Sequence, residues 1–241
     1  MKSAISFALL IFLLTTLPVG AATIHVPDDQ ETIQAGVDAA EAGDTVLVAD
    51  GDYNGNGNVN LSVSTQIILL SENGPDNCII DCAENNAANG IDIQETVILN
   101  GFTIAGADTG IIIRNANDVN IVNCITNGNS VHGLYLIGCL RAIISNTQST
   151  DNNCNAAQQG IGMRAENSDG TITDCIFSNN STLGSGGGIW FGASDFIFEN
   201  CEFSDNTASL YGGGLYLGTA SVCQMTNCLI SENSTTDAAT G

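Results

Sequence analysis

The chain is nearly empty of fixed positive charge. Its basic residues are Lys2, Arg114, Arg141 and Arg164, against 26 acidic ones, and the formal charge is -22. Such a balance excludes binding to nucleic acid or to an anionic membrane by charge. Histidine is equally scarce: His25 and His132 stand alone, and no paired C-x-x-C motif accompanies them, which removes the usual zinc frameworks. After the first 20 or so residues no apolar run is long enough to span a bilayer, so no transmembrane helix is expected beyond that point. The Leu-x-x-Leu-x-Leu-x-x-Asn signature of leucine-rich repeats is also absent. Disorder is not expected from the acidity, because 44% of the residues are hydrophobic and they recur in order.

What is present is a repeat. A glycine opens a short apolar run at Gly90, Gly110, Gly133, Gly160, Gly188, Gly214 and Gly241. A second column comprises Asn77, Asn100, Asn123, Asn146, Asp174, Asn200 and Asn227. A third lies six residues after the last five of these: Asn129, Asn152, Asn180, Asn206 and Asn233. Columns that keep step for several turns describe one unit stacked on itself. The runs after the glycines alternate with period two, as in Leu134-Tyr135-Leu136 and Ile189-Trp190-Phe191, so they are strands. Ile98, Ile121, Ile144, Ile172, Phe198 and Met225 precede the second column by two residues and are expected to face the core. The fold class is all-β, a parallel β-helix with coils about 4.8 Å apart. Both asparagine columns are read as corners, where Asn tolerates a left-handed conformation and stacked amides can form a ladder.

Three segments divide the chain. Residues 1 to 22 read as a secretory signal peptide with small residues at its end. Loss of Lys2 with that leader takes the charge from -22 to -23. Residues 23 to 66 supply first strands and an amphipathic helix, capped by Asp29 or Thr32 and running to about Ala42, that covers the open end of the stack. Residues 67 to 241 carry the repeats. The stop at Gly241, on a glycine that should open a further coil, reads as truncation. Five of the nine cysteines, Cys78, Cys124, Cys175, Cys201 and Cys228, form one column. Stacked side chains near 4.8 Å are too wide for a disulfide, so a buried thiol ladder is expected. Cys82, Cys139, Cys154 and Cys223 lie off that column and are free to pair.

Residues 32–35 (Thr-Ile-Gln-Ala) and 43–48 (Gly-Asp-Thr-Val-Leu-Val) resemble the opening of secreted right-handed β-helix proteins of the pectin-lyase-like superfamily. Phe177-Ser178-Asn179-Asn180 with Gly187-Gly188-Ile189, and Phe203-Ser204-Asp205-Asn206 with Gly213-Gly214-Leu215, resemble the F-x-x-N and G-G-[AVIL] elements of the polymorphic outer membrane protein repeat. The resemblance implies a right-handed coil and export, to the medium or to the cell surface or outer membrane. It leaves activity open, because this fold hosts lyases, hydrolases and adhesins alike.

Several residues could carry chemistry. Tyr135, Trp190 and Tyr216 are expected on an outward row able to stack on sugar faces. Asp205 and Glu232, in an acidic row with Asp151, could hold Ca²⁺ or form the carboxylate pair of a retaining glycosidase. The competing reading is a solvated turn. Asp50 and Asp52 open a D-x-D-x-N-G run, but Leu61 occupies the twelfth position of a calcium loop, where Glu is required. Arg114 and Arg164, each four residues after its column glycine, with Asp92 and Glu166 nearby, are the candidate basic residues of a polysaccharide lyase. The absence of lysine counts against a lyase of uronates, since a negative chain repels an anionic polymer. The expected function is therefore a non-enzymatic module, adhesin-like or a spacer, with polysaccharide or cell-surface glycan as partner and no cofactor beyond a possible Ca²⁺. The alternative is a polysaccharide lyase or glycoside hydrolase.

Overall fold

The computed structural model describes residues 20–83 and 89–236. The signal-peptide segment and the terminal glycine of the repeat, Gly241, lie almost wholly outside them. Among the described residues the strands form four parallel sheets. Sheet I has nine strands, from Thr23–Val26 and Thr45–Val48 through Asn120–Val122, Ala142–Ser145, Asp169–Thr173 and Asp195–Glu199 to Val222–Thr226. Sheet II has eight, from Gly51–Tyr53 to Leu229–Ser231. Sheet III has seven: Leu61–Val63, Asn89–Ile93, Thr109–Arg114, His132–Ile137, Met163–Glu166, Ile189–Gly192 and Leu215–Leu217. Sheet IV has four short strands, from Asn153–Cys154 to Ser234–Thr235, and exists only in the later coils. Each strand pairs with its counterpart one coil on, which makes the chain a parallel β-helix. Sheet I already begins at Thr23, so residues 23–66 belong to the same stack as the repeats.

The corner between sheets I and II is one left-handed residue: Gly101, Asn123, Asn146, Asp174, Asn200 and Asn227 all have positive φ. Gly101, not Asn100, occupies the third coil's corner. That one-residue shift turns the expected core position around. Ile98 is 38% exposed and Leu99 is fully buried, because a slip of one residue moves a strand side chain to the other face. Met225 is only half-buried, being in the last described sheet I strand.

The corner after sheet II carries the buried ladder. Asn129, Asn152, Asn180 and Asn206 are each 0% exposed. Every Nδ2 donates to the Oδ1 of the next asparagine at 2.9–3.0 Å, and every backbone N–H donates to that same oxygen. Each Nδ2 also reaches a carbonyl of the coil before, as from Asn180 to Ser149 at 2.8 Å. These amides occupy the space that side chains on sheet III would need. A Cβ on Gly110, Gly162, Gly188 or Gly214 would press on an asparagine of the ladder, and on the first three also on the carbonyl oxygen of the next column glycine. The glycine column is therefore a packing requirement. In the fifth coil that glycine is Gly162, and Gly160 is a left-handed turn residue two places earlier.

The core is aliphatic in the early coils and aromatic in the late ones. Phe177 stacks on Phe203 at 5.5 Å between centroids and Phe191 on Phe196 at 4.8 Å. The motif elements that resemble the outer membrane repeat are thus the core phenylalanines, the ladder asparagines and the column glycines. The helix, Ile33–Ala39, ends sooner than expected; Thr32 caps it by accepting from the Ala35 N–H. It lies against the first coils, and Gly36 allows the contact, since a Cβ there would meet Val26 Cγ2 at 2.8 Å.

All nine cysteines are free thiols. Cys78, Cys124, Cys175 and Cys201 are buried, but Thr147 interrupts their column and its hydroxyl accepts from the Cys124 N–H. Cys228 is half-buried in the last coil. Burial pushes the Cys78 thiol up to about 12 and the Cys124 thiol to about 11, which keeps both protonated and inert.

Candidate functional site

Sheet III presents an outward row built one residue per coil. Its register runs Asp92, Ile112, Tyr135, Arg164, Trp190 and Tyr216. The expected aromatic row is therefore interrupted by an arginine. The two arginines are not in register: Arg114 aligns with Ile137, and through it with Glu166, two residues farther along the strands than the row holding Arg164. The displacement follows from the extra residues before Gly162, which counting from Gly160 cannot detect.

Arg164 is held from three sides. Its Cζ lies 5.2 Å from the Tyr135 ring centroid and 5.1 Å from the Trp190 ring. Its Nε donates to Glu166 Oε1 at 2.8 Å, and Nη2 reaches the same oxygen. A guanidinium between two ring faces is a cation–π arrangement, and the carboxylate fixes its plane. The Trp190 indole lies over Gly192, where a Cβ would collide with it. Its Nε1–H is buried without a hydrogen-bond partner among the described residues. Two coils before Tyr135 in this row, Arg114 Nε pairs with Asp92 Oδ2 at 3.1 Å, while Asp92 Oδ1 is buried and unpartnered. Tyr135 also contacts His132, with centroids 5.0 Å apart. Burial raises the Tyr135 phenol, Arg164 opposes that shift and Glu166 adds to it.

At the later end of the row the ring system widens. Tyr211, from the segment joining sheets IV and III, stacks on Tyr216 with centroids 5.9 Å apart. Tyr211 was not anticipated; it lies outside the repeat columns, and only its position just before Gly212-Gly213-Gly214 hints at its proximity to the row.

The remaining candidates do not join this face. Asp205 and Glu232 are left-handed corner residues between sheets II and IV, with φ of 58° and 55°. Asp50 accepts from Asn73 Nδ2, and Asp52 lies within a sheet II strand rather than in a calcium loop. Among the described residues no three His, Cys, Asp or Glu side chains come together. Asp205 and Glu232, the candidate glycosidase pair, follow Ser204 and Ser231, which pair across adjacent coils, so their backbones lie about 4.8 Å apart on a corner away from this face.

No curated protein matches this sequence. Solved structures do. A pectate lyase, Pel9A, matches with a TM-score of 0.52 at 12% identity over 72% of this chain and 48% of its own. An alginate lyase from Paenibacillus sp. str. FPU-7 matches at 0.49 and 13% identity, over 89% of this chain and 99% of its own. Pectin methylesterase from carrot matches at 0.45 and 10%, over 90% and 84%. This chain spans about half the length of the pectate lyase. At such identities the likeness speaks to the fold. The pectate lyase is an enzyme, and this likeness corrects the expectation of a non-enzymatic adhesin-like or spacer module, which is not carried further. The family model that matches describes a right handed beta helix region and covers residues 109–240, more than half of the sequence; the chain belongs to the right-handed β-helix family.

Proposed function

We propose that this chain is the β-helix of an exported enzyme of the polysaccharide lyase or esterase type, and that the outer face of sheet III receives an acidic polysaccharide. The observation that supports this most is the placement of cations. In a chain of charge -22, two of the three arginines stand on this one face, where Arg114 and Arg164 balance Asp92 and Glu166. The face is thereby the least repulsive to an anionic polymer. A guanidinium has five N–H donors and no acceptor, so the part of Arg164 is to hold a substrate carboxylate or oxyanion rather than to remove a proton. Tyr135, Trp190, Tyr216 and Tyr211 offer apolar ring surface beside it. The pectate lyase shares this fold, which supports an acidic polysaccharide as the substrate class.

Export, by the leader read at residues 1 to 22, to the medium or to the cell surface or outer membrane, belongs to the proposal. The test is electrophoresis through gels containing polygalacturonate, pectin or alginate, combined with assays for unsaturated products and for methanol release. We expect wild type to be retarded by one of them, and Arg164→Ala and Trp190→Ala to abolish that retardation while the fold melts normally. Migration unaffected by every acidic polymer, with neither product formed, would sink the reading.

A further inference from the structure

A groove of about 600 Å³ crosses the outer face of sheet I, a different sheet from the one bearing the arginine–aromatic row. Its floor alternates aliphatic and polar side chains. Ile143, Thr171, Ile197 and Gln224 share one register row, and Ile143 and Ile197 are 46% and 41% exposed. Three coil steps make this row about 14 Å long. Its wall is charged. Asp118 receives both Nε and Nη2 of Arg141 at 2.7 Å, so this pair is closed on itself. Asp169 and Asp195 face each other one coil apart. Each uses Oδ1 to accept a backbone N–H, from Arg141 at 2.6 Å and from Val222 at 3.0 Å. Among the described residues no hydrogen bond to their Oδ2 atoms is found; Asp169 is half-buried with Arg141 near it, and Asp195 is exposed. Val222, 52% exposed, closes the far end of the wall.

We propose that this groove docks an extended polypeptide segment in which lysine or arginine alternates with aliphatic residues. The wall and the floor together select that chemistry. Two carboxylate oxygens, one coil apart and without a hydrogen bond among the described residues, call for cations at a matching spacing. The aliphatic members of the floor call for branched or straight-chain apolar groups, and side chains of an extended segment alternate in the way that places one kind on the wall and the other on the floor. A second copy of this chain does not fit, because it carries the same charge of -22 and only three arginines. A sugar polymer fits less well, because the groove presents no exposed ring: Phe196, its only aromatic lining residue, points inward and is 2% exposed. The inference does not rest on the reading of sheet III.

The probe is a synthetic heptapeptide alternating lysine and valine, labelled with a fluorophore and titrated with the signal-free protein at low salt. Saturable binding is expected, and it should weaken as salt rises. The double variant Asp169→Asn, Asp195→Asn keeps the oxygens that accept the backbone N–H groups and should bind roughly tenfold more weakly. Ile143→Thr should also weaken it, while Trp190→Ala should not. A peptide with serine for valine should bind less tightly. Three results would each overturn the proposal: no saturation by the alternating peptide, an equal loss in the remote variant Asp205→Asn, or tighter binding of a glucosamine oligomer than of the peptide.

Discussion

The two asparagine columns have similar periods and opposite physics. In the column at 129, 152, 180, 206 and 233 the side chain is what matters. It points inward, and the first four members are fully buried, with the amide network satisfied from coil to coil. In the column at 123, 146, 174, 200 and 227 the backbone is what matters. Each residue holds a φ near +50°, and its side chain is exposed or half-buried and bonds only to column neighbours, from Asn146 to Asn123 at 3.0 Å, Asn200 to Asp174 at 3.3 Å and Asn227 to Asn200 at 3.4 Å, with no backbone N–H among the described residues joining the ladder. An aspartate can stand in the second column, at Asp174. No aspartate stands in the first, where a carboxylate would lack the Nδ2 donors and bury a charge. One residue type thus serves as a hydrogen-bonded core in one place and as a conformational hinge in the other.

Breaking the inner column should have the largest effect. Asn180→Leu keeps the volume but removes the oxygen that accepts both the Asn152 N–H and its Nδ2. The Asn152 N–H is left without that acceptor and the Ser149 carbonyl loses the Asn180 Nδ2, whereas Asn152 Nδ2 keeps Thr126 O and Ser149 Oγ. At about 1–3 kcal/mol for each orphaned buried group, a loss of about 3 kcal/mol is expected in denaturant melts. A cost under 1 kcal/mol would mean that water reaches the ladder.

A second test probes the same interior through pH. His132 is 2% exposed and its Nδ1 donates to the Gly160 carbonyl at 2.9 Å. Burial lowers its pKa to about 4, and the Gly160 bond only partly opposes this. The unfolded imidazole titrates near 6.5, so below that pH the unfolded chain takes up a proton that the folded one refuses. The contribution is fully present above about pH 6.5 and is lost as pH falls toward 4, by up to roughly 3 kcal/mol. His132→Asn retains a donor for Gly160 and should flatten that part of the stability–pH curve. An unchanged curve would show that the imidazole is not the group responsible.

The outer column should respond least, and in a different direction. Asn200→Ala forces a Cβ-bearing residue without a polar side chain to keep φ near +55° and should cost about 1 kcal/mol. Asn200→Gly should cost a few tenths or stabilise. If glycine proved as damaging as alanine, the side-chain contacts of this column would matter more than its backbone.

Much of the fold was legible before the structure. Period-two runs, a glycine column and two asparagine columns are local consequences of strand pleat, close backbone approach and corner geometry, and each repeats often enough to be read. Legibility failed wherever one coil changed length. Asn100 and Gly101 exchange the corner role in the third coil, and Leu99 replaces Ile98 in the core. Gly160 and Gly162 exchange the column role in the fifth, and Arg164 moves into the aromatic row. Tyr211 reaches Tyr216 by a turn that no period announces. In each case residues are added or dropped in a segment where several alignments satisfy the pattern equally, and only the register of hydrogen bonds between coils selects one.

By itself, then, the sequence determined the coil, the identity of its buried ladders and the poverty of cations that limits its partners. Those properties come from side-chain size, polarity and charge at fixed intervals, which act locally and repeat. The tertiary structure alone decided which side chains share a face. It placed Arg164 between Tyr135 and Trp190, separated Arg114 from it by a row, and put a carboxylate pair beside a floor of alternating aliphatic and polar side chains on sheet I. Residues about 25 positions apart become neighbours at about 4.8 Å only once the coils stack, so a shift of one or two residues in a turn changes the chemistry of the surface while leaving the fold intact.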